Sequence, residues 1–108
     1  MGFFSSTPSI LVADVAEKVR GDNTAFIDVR SAEEYASGHA VGAQNYPLPS
    51  LGEHIDALKK FNEVYVICQS GGRSSSAVSQ LIPHKINAIN VSGGTSAWRT
   101  AGLPIAQS

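Results

Sequence analysis

The fold is organised around one stretch, VYVICQSGGRSSSAVSQL, which covers residues 64–81. Its first four residues form an apolar run typical of a buried strand, and the segment from Ser74 to Leu81 has the character of a helix. Between them lies a short loop with two adjacent glycines and Cys68, the only cysteine of the chain. A strand that ends, a tight loop and a helix that begins gather backbone N–H groups around whatever the loop holds.

The residues of this loop predict a cradle for an anionic group, with a nucleophile at its start. The two glycines let the backbone turn tightly, and the helix N-terminus and the arginine supply positive charge. These groups favour the thiolate of Cys68, which is the nucleophilic form, so we expect its pKa to lie below the free value of about 8.5. The candidate catalytic residue is Cys68, and the candidate active loop comprises Gln69, Ser70, Gly71, Gly72, Arg73 and Ser74.

A structural interpretation of Cys68 stands beside the catalytic one. A lone cysteine at the end of an apolar strand is more often a small buried hydrophobe than a catalyst. A buried structural cysteine, however, requires neither a flexible anion-binding turn nor an arginine five positions later. The sequence context of Cys68 therefore favours catalysis.

Length and composition predict one small domain over residues 1–108, with residues 1–8 as a loose N-terminal arm. With 43% hydrophobic residues, the chain can bury an ordinary core. The net charge of −1 comes from interspersed acids and bases, so nothing predicts a nucleic-acid partner. No apolar run is long enough to span a membrane, and the N-terminus lacks the pattern of a signal peptide.

The numbers and positions of cysteine and histidine residues predict the redox environment and whether a metal is bound. One cysteine cannot form an intramolecular disulfide, so we expect a reducing, cytoplasmic environment. His39, His54 and His84 lack the spacing of metal ligands, so we expect no metal. We expect the chain to act as a monomer.

Strands and helices alternate along most of the chain, which predicts a mainly parallel central sheet with helices on both faces. The Cys68 loop then lies at the carboxyl edge of the sheet. Two capping-box patterns, Ser31–Glu34 and Ser50–Glu53, predict helix starts, and we expect Trp98 to pin the last helix to the sheet. The expected strands cover residues 9–11, 24–29, the neighbourhood of Asn45, 63–67 and 88–91, and the expected helices run over residues 13–20, from Ser31 to a stop at Gly38, over residues 50–60, from Arg73 or Ser74 to just before Pro83, and over residues 95–100.

Two opposite charges, Asp28 and Arg30, flank Val29 at the end of one predicted strand. Ligand sites of parallel α/β sheets lie beyond the carboxyl ends of strands, so a direct role in the chemistry is open to both side chains. A structural ion pair, or a cap for a neighbouring loop, is the interpretation that we favour.

Four motifs occur in order along the chain. IDVR (27–30) precedes EEY (33–35), GHAVGAQN covers residues 38–45, the cysteine loop follows, and VSGG (91–94) precedes AW (97–98) and AGLP (101–104). On these residues the chain resembles the rhodanese-like (sulfurtransferase) domain family, from about Ile10 to Ile105. It departs from the family pattern at Ala40, where a larger apolar residue is common, and residues 83–86 match less closely.

The resemblance implies a rhodanese-like three-layer fold with a central, mainly parallel five-stranded sheet and helices on both faces. It implies that Cys68 takes a sulfane sulfur from a small anionic donor such as thiosulfate and carries it as a persulfide. The acceptor would be cyanide, a thiol or a protein, and no cofactor beyond the covalent persulfide is expected. Asp28 and Arg30 carry over as supports of the active-site architecture.

Two other functions stay open. The domain could be a protein-binding module of the same fold, although inactive members of the family commonly lack the cysteine. It could also be a small cysteine phosphatase or arsenate reductase. The related enzymes of those classes use a loop one residue longer than the six residues from Cys68 to Arg73, and arsenate reduction through an intramolecular disulfide would need a second cysteine.

Overall fold

The computed structural model describes residues 7–19, 21 and 23–107. Most of the expected N-terminal arm, residues 1–6, lies outside the described residues. Within the described part, no helix is both long enough and apolar enough to cross a membrane. The strands are β1 Ser9–Ile10, β2 Thr24–Asp28, β3 His39–Ala40, β4 Gln44–Asn45, β5 Glu63–Ile67, β6 Ala88–Val91 and β7 Ile105–Ala106; the helices are α1 Val12–Lys18, α2 Ala32–Ser37, α3 Ile55–Leu58, α4 Gly72–Leu81 and α5 Gly94–Thr100, with 3-10 segments at Leu48–His54 and Ile82–His84.

Five strands form a parallel sheet in the order β1-β6-β5-β2-β4. The central strand β5 pairs along its whole length with β2, from Glu63 opposite Thr24 to Ile67 opposite Asp28. The carboxyl ends of β2 and β5 therefore meet at one edge of the sheet, and the Cys68 loop leaves from that edge. These contacts confirm the predicted five-stranded parallel sheet.

The alternation of side chains along β5 divides the core into two layers, because successive residues of a strand point to opposite faces. Val64, Val66 and Cys68 belong to a buried cluster with α3 and α4. Tyr65 and Ile67 belong to a second cluster with α1 and α5. Both faces of the strand are thus covered, as the continuous apolar run predicted.

The first predicted capping box is confirmed and the second is wrong. At the start of α2, the Ser31 hydroxyl accepts from the Glu34 N–H and the Glu34 carboxylate accepts from the Ser31 N–H. The Ser50 hydroxyl instead donates to the Pro47 carbonyl at 3.1 Å, within a 3-10 segment that has no side-chain cap. Proline and glycine in this stretch disfavour an α-helix, which forms only at Ile55–Leu58.

Other differences from the predicted boundaries are small. β1 and β2 each end one residue early, and α1 begins one residue early and ends at Lys18. Two helices, α4 and α5, begin at a glycine, and the residue before each start, Gly71 or Gly93, turns the chain with a positive φ. The antiparallel pair of β3 with β7 was not predicted, since each of these strands has only two residues.

Candidate active site

The active loop joins the central strand to α4. β5 ends at Ile67, Cys68 follows directly, and α4 begins at Gly72. Gly71 turns the chain with a φ of +111°, which residues with a Cβ rarely adopt. This sharp turn brings the unpaired N–H groups of the first turn of α4 next to the Cys68 sulfur.

The start of α5 holds the backbone of this loop. The Thr95 N–H donates to the Cys68 carbonyl at 2.8 Å and the Thr95 hydroxyl donates to the same oxygen at 3.0 Å. The Ser96 N–H donates to the Gln69 carbonyl at 3.1 Å. Gly94, with a φ of +59°, permits this approach because a Cβ there would lie 2.7 Å from the Gln69 carbonyl carbon.

The Cys68 thiol is enclosed, with polar partners on its sulfur. The residue is 1% exposed, the Gly71 N–H donates to Sγ at 3.1 Å, and the Ser74 hydroxyl lies 3.3 Å from Sγ. Burial raises the pKa of the thiol. Hydrogen bonds from the Ser74 hydroxyl and from the backbone N–H groups of Ser74, Gly71 and Ser70 outweigh that effect, so the pKa of Cys68 lies below its ordinary value. The direction is the one that the sequence predicted.

Asn90 competes with Cys68 for the proton of Ser74. The Ser74 hydroxyl is buried within hydrogen-bond distance of both Cys68 Sγ and Asn90 Oδ1. A hydroxyl has one proton, so it donates to one of these acceptors at a time. Because a thiolate is a stronger acceptor than a thiol, ionisation of Cys68 draws the proton from Asn90 towards the sulfur.

Arg73 has a different principal partner from the one expected. Its guanidinium forms a bidentate pair with Glu34 of α2, with Nη1–Oε1 and Nη2–Oε2 distances of 2.6 and 2.9 Å. The hydrogen bond from Arg73, helped by the Ser31 backbone, lowers the pKa of Glu34 to about 2. The same pair raises the pKa of Arg73, and the nearby Cys68 charge adds less. The positive charge expected to act on the thiol is therefore largely engaged by a carboxylate.

Asp28 and Arg30 form a buried ion pair, 0% and 3% exposed. Arg30 Nη2 lies 2.9 Å from Asp28 Oδ2, and the Arg30 N–H donates to Asp28 Oδ1 at 3.0 Å. Arg30 also donates to the Gly38 carbonyl at 2.7 Å and to Gln69 Oε1 at 3.3 Å. The pair thus joins the end of β2 to the turn after α2 and to the active loop, as the favoured structural interpretation expected.

The remaining loop residues form an uncharged rim. Gln69 accepts from Arg30 and donates through Nε2 to the Ser96 hydroxyl at 2.9 Å. Ser70 and Gly72 are exposed. Across the described ranges, no three His, Cys, Asp or Glu side chains cluster as a metal site would require.

The sequence interpretation missed three residues of the site. Glu34 was assigned only to a capping box, although its carboxylate also holds Arg73. Asn90 carried one available signal, since it is a polar residue inside an otherwise apolar strand. Thr95, 0% exposed, had no signal of its own, because its role depends on the close approach of α5 to the loop.

Comparisons with known proteins agree with this geometry. The sequence model described as "Rhodanese-like domain" matches residues 11–101. The chain is 34% identical to thiosulfate sulfurtransferase 16, chloroplastic, of Arabidopsis thaliana over 113 aligned positions, which cover 93% of this chain and 94% of that protein. It is also 34% identical to the putative sulfurtransferase YtwF of Bacillus subtilis, over 88% of this chain and 93% of that one.

A solved structure is similar over nearly the whole chain. The rhodanese-related protein of Thermoplasma volcanium matches with a TM-score of 0.84 and 31% identity, over 94% of this chain and 99% of that one. The residues matched by the family model include the Cys68 loop and the strands β2, β4, β5 and β6 of the parallel sheet. The chain therefore belongs to the rhodanese-like domain family.

Proposed function

We propose that this domain is a sulfurtransferase in which Cys68 carries a sulfane sulfur from a donor such as thiosulfate to a thiophilic acceptor. The observation that carries the proposal is the environment of Sγ, which receives a backbone N–H and faces a hydroxyl while the residue is otherwise buried. Such a site stabilises negative charge on a small sulfur group. The names of the Arabidopsis and Bacillus relatives support the same reaction class.

In the loading step, the Cys68 thiolate attacks the outer sulfur of thiosulfate. A sulfur–sulfur bond to Cys68 forms, the sulfur–sulfur bond of thiosulfate breaks, and sulfite leaves with the electron pair. The protein then holds Cys68–S–S⁻, and the total charge is unchanged. The Gly71 N–H already donates to Sγ, and we expect the loop N–H groups to stabilise the charge of the terminal sulfur as well.

In the unloading step, a nucleophile attacks the terminal sulfur and the Cys68 thiolate leaves. Cyanide would depart as thiocyanate, and a thiolate on a small molecule or a protein would depart as a persulfide. The hydrogen bonds that lower the pKa of Cys68 also make it a better leaving group. The persulfide is itself the sulfur carrier, so this cycle requires no other cofactor.

The size of the loop favours sulfur transfer over phosphate hydrolysis. Four residues separate Cys68 from Arg73, and the thiol that they enclose is 1% exposed. A projecting sulfur atom can enter such a ring alone, whereas a tetrahedral phosphate attacked at its centre needs more room.

One chain supplies all parts of the proposed site: the nucleophile, the loop and the Asp28–Arg30 support. We therefore infer that the monomer is active. A free thiol of this kind suits a reducing compartment such as the cytoplasm.

Intact-mass measurement after incubation with thiosulfate tests the proposal. We expect the mass of one additional sulfur atom on the protein, removed by cyanide or by a thiol. The Cys68→Ser variant, which has no thiol, should gain nothing. Sulfur uptake by the serine variant, or none by the native protein with thiosulfate or any persulfide, would contradict the assignment, and efficient Cys68-dependent hydrolysis of aryl phosphates would favour a phosphatase.

A further inference from the structure

The ion pair of Arg73 with Glu34 changes the electrostatics of the candidate site. Arg73 is the one charged side chain in the loop itself, and both of its terminal nitrogens are taken by the Glu34 carboxylate. Arg30, the cation behind the loop, is likewise paired with Asp28. The two pairs contribute no net charge, so the negative charge of the Cys68 thiolate is not offset by a free side-chain cation from either pair.

We propose that Glu34 is a specificity-determining residue that neutralises Arg73, so that the site favours sulfane donors of low charge, such as thiol persulfides, over the thiosulfate dianion. The proposal rests on the sulfurtransferase function proposed above and deepens it. In the favoured reaction, the Cys68 thiolate attacks the outer sulfur of R–S–SH, the sulfur–sulfur bond of the donor breaks, and R–SH leaves with the proton. The protein again holds Cys68–S–S⁻, and atoms and charge balance.

Electrostatic repulsion gives the physical reason for this preference. Thiosulfate brings two negative charges towards a thiolate, so its approach is opposed unless a cation compensates. Glu34 cancels the attraction that Arg73 would exert on such a donor. A donor with one charge or none meets at most half of that repulsion, so its capture depends less on Glu34.

The pair is built to persist when a donor arrives. It is bidentate, and it joins α2 to the loop across 39 positions of sequence. Glu34 is also fixed by the N-terminus of α2 through its hydrogen bonds with Ser31. With a pKa of about 2, Glu34 stays ionised throughout the neutral range. The two side chains are 42% and 37% exposed, so solvent and salt screen the effect and keep it moderate.

Glu34→Gln is the variant that tests the proposal, because glutamine keeps the shape of the side chain and can still complete a capping box. Glu33→Gln is the matched control: Glu33 is an exposed neighbour in the same turn, and its change removes the same formal charge. Two donors should be compared, thiosulfate and methanethiosulfonate. Both present an outer sulfane sulfur, but they differ by one negative charge, and the second releases methanesulfinate.

We expect Glu34→Gln to raise kcat/KM for thiosulfate roughly three- to tenfold at low salt, and to raise that for methanethiosulfonate by about the square root of this factor. Glu33→Gln should change both values less than twofold, because Glu33 is exposed and solvent and salt screen its charge. Equal effects on the two donors, no effect of Glu34→Gln, or an equal effect of Glu33→Gln would overturn the proposal.

The native protein offers a second measurement that needs no variant. If the site is neutral apart from the thiolate, added salt should raise kcat/KM for thiosulfate by screening repulsion. A fall with salt would mean that Arg73 attracts the donor freely, and would overturn the inference about Glu34. Failure of both donors to load Cys68 would instead contradict the sulfurtransferase function, so the two failures are distinguishable.

Discussion

At the residue scale, a single hydroxyl acts directly on the Cys68 thiol. The Ser74 hydroxyl is one of the groups that hold the pKa of Cys68 below its ordinary value, and it is shared with Asn90. Since the thiolate is the reactive form, the fraction of Cys68 that is ionised at neutral pH depends on where the Ser74 proton lies. Backbone N–H groups supply the rest of the stabilisation, and only a substitution by proline would remove one of those.

We predict that Ser74→Ala raises the pKa of Cys68, because a hydrogen bond to the charged form favours ionisation and its loss disfavours it. The thiolate fraction at neutral pH should fall, and with it the rate of alkylation. The measurement is the pH profile of alkylation by a small reagent. Ser76→Ala, at an exposed position of the same helix, is the control and should leave the profile in place. An unshifted profile for Ser74→Ala would assign the acidity to the backbone alone.

Sequence patterns could single out Cys68 as the candidate nucleophile but not the distant side chains around it. The apolar run, the single cysteine and the two glycines are local signals, and they located Cys68 and the loop correctly in the fold. Glu34 and Asn90 lie 34 and 22 positions from Cys68 along the chain. Their contacts exist only because the parallel sheet brings α2 and β6 close to the loop. A local sequence pattern does not show which distant segments become neighbours in the fold.

At the scale of elements, the loop is held between two helix N-termini. α4 begins beside the Cys68 sulfur, and the first turn of α5 donates to the carbonyls of Cys68 and Gln69. A residue at each start, Gly71 and Gly93, has a positive φ. The glycine motif after β6 therefore helps to fix the position of Cys68, although it lies more than twenty residues away in sequence.

Gly94→Ala should disturb this arrangement. An added Cβ would lie 2.7 Å from the carbonyl carbon and oxygen of Gln69, so the loop or α5 must shift. We expect a loss of stability of about 1–3 kcal/mol, typical of overpacking, together with a clear loss of sulfur loading. Gly102→Ala is the matched control, because Gly102 also has a positive φ, +74°, but faces no atom within 4 Å. Thermal unfolding and intact-mass loading should be measured on both variants. Gly102→Ala reports the effect of backbone strain alone, whereas Gly94→Ala adds the close contact with the loop. Equal loading by the two variants would contradict the role of α5 in holding the loop.

The strongly patterned elements could be predicted, and the weakly patterned ones could not. β5 carries a continuous apolar run and α4 a helix-like segment directly after the loop, so their existence and order followed from the sequence. The two-residue strands β3 and β7 are defined only by their pairing across most of the chain. The segment from Leu48 to His54 carries a capping pattern that Pro49 and Gly52 override, which the local pattern did not reveal.

At the scale of the whole molecule, the buried Asp28–Arg30 pair joins segments that are distant in sequence. It connects the end of β2 to the turn at Gly38 and, through Gln69, to the active loop. The geometry of the active loop therefore depends on an ion pair that is fully enclosed by the fold.

Asp28→Ala should lower stability and sulfur loading together. It leaves the Arg30 guanidinium buried without its carboxylate, a change that typically costs about 3–5 kcal/mol. For a domain of this size, each kcal/mol shifts Tm by roughly 4–8 °C, so the loss should be large in a thermal melt. Arg30 would also lose the bonds that orient it towards Gly38 and Gln69, so loading should fall even at temperatures where the variant is folded.

The exposed pair Lys59–Asp56 provides the control for this last prediction. Its nitrogen–oxygen distance is 4.0 Å and its side chains are 48% and 101% exposed, so Asp56→Ala should hardly change Tm and should leave loading unchanged. Comparing the two variants separates burial from formal charge, since each removes one aspartate. If Asp28→Ala abolished loading with an unchanged Tm, Asp28 would belong to the chemistry of the site. If it changed neither, the buried pair would not support the loop.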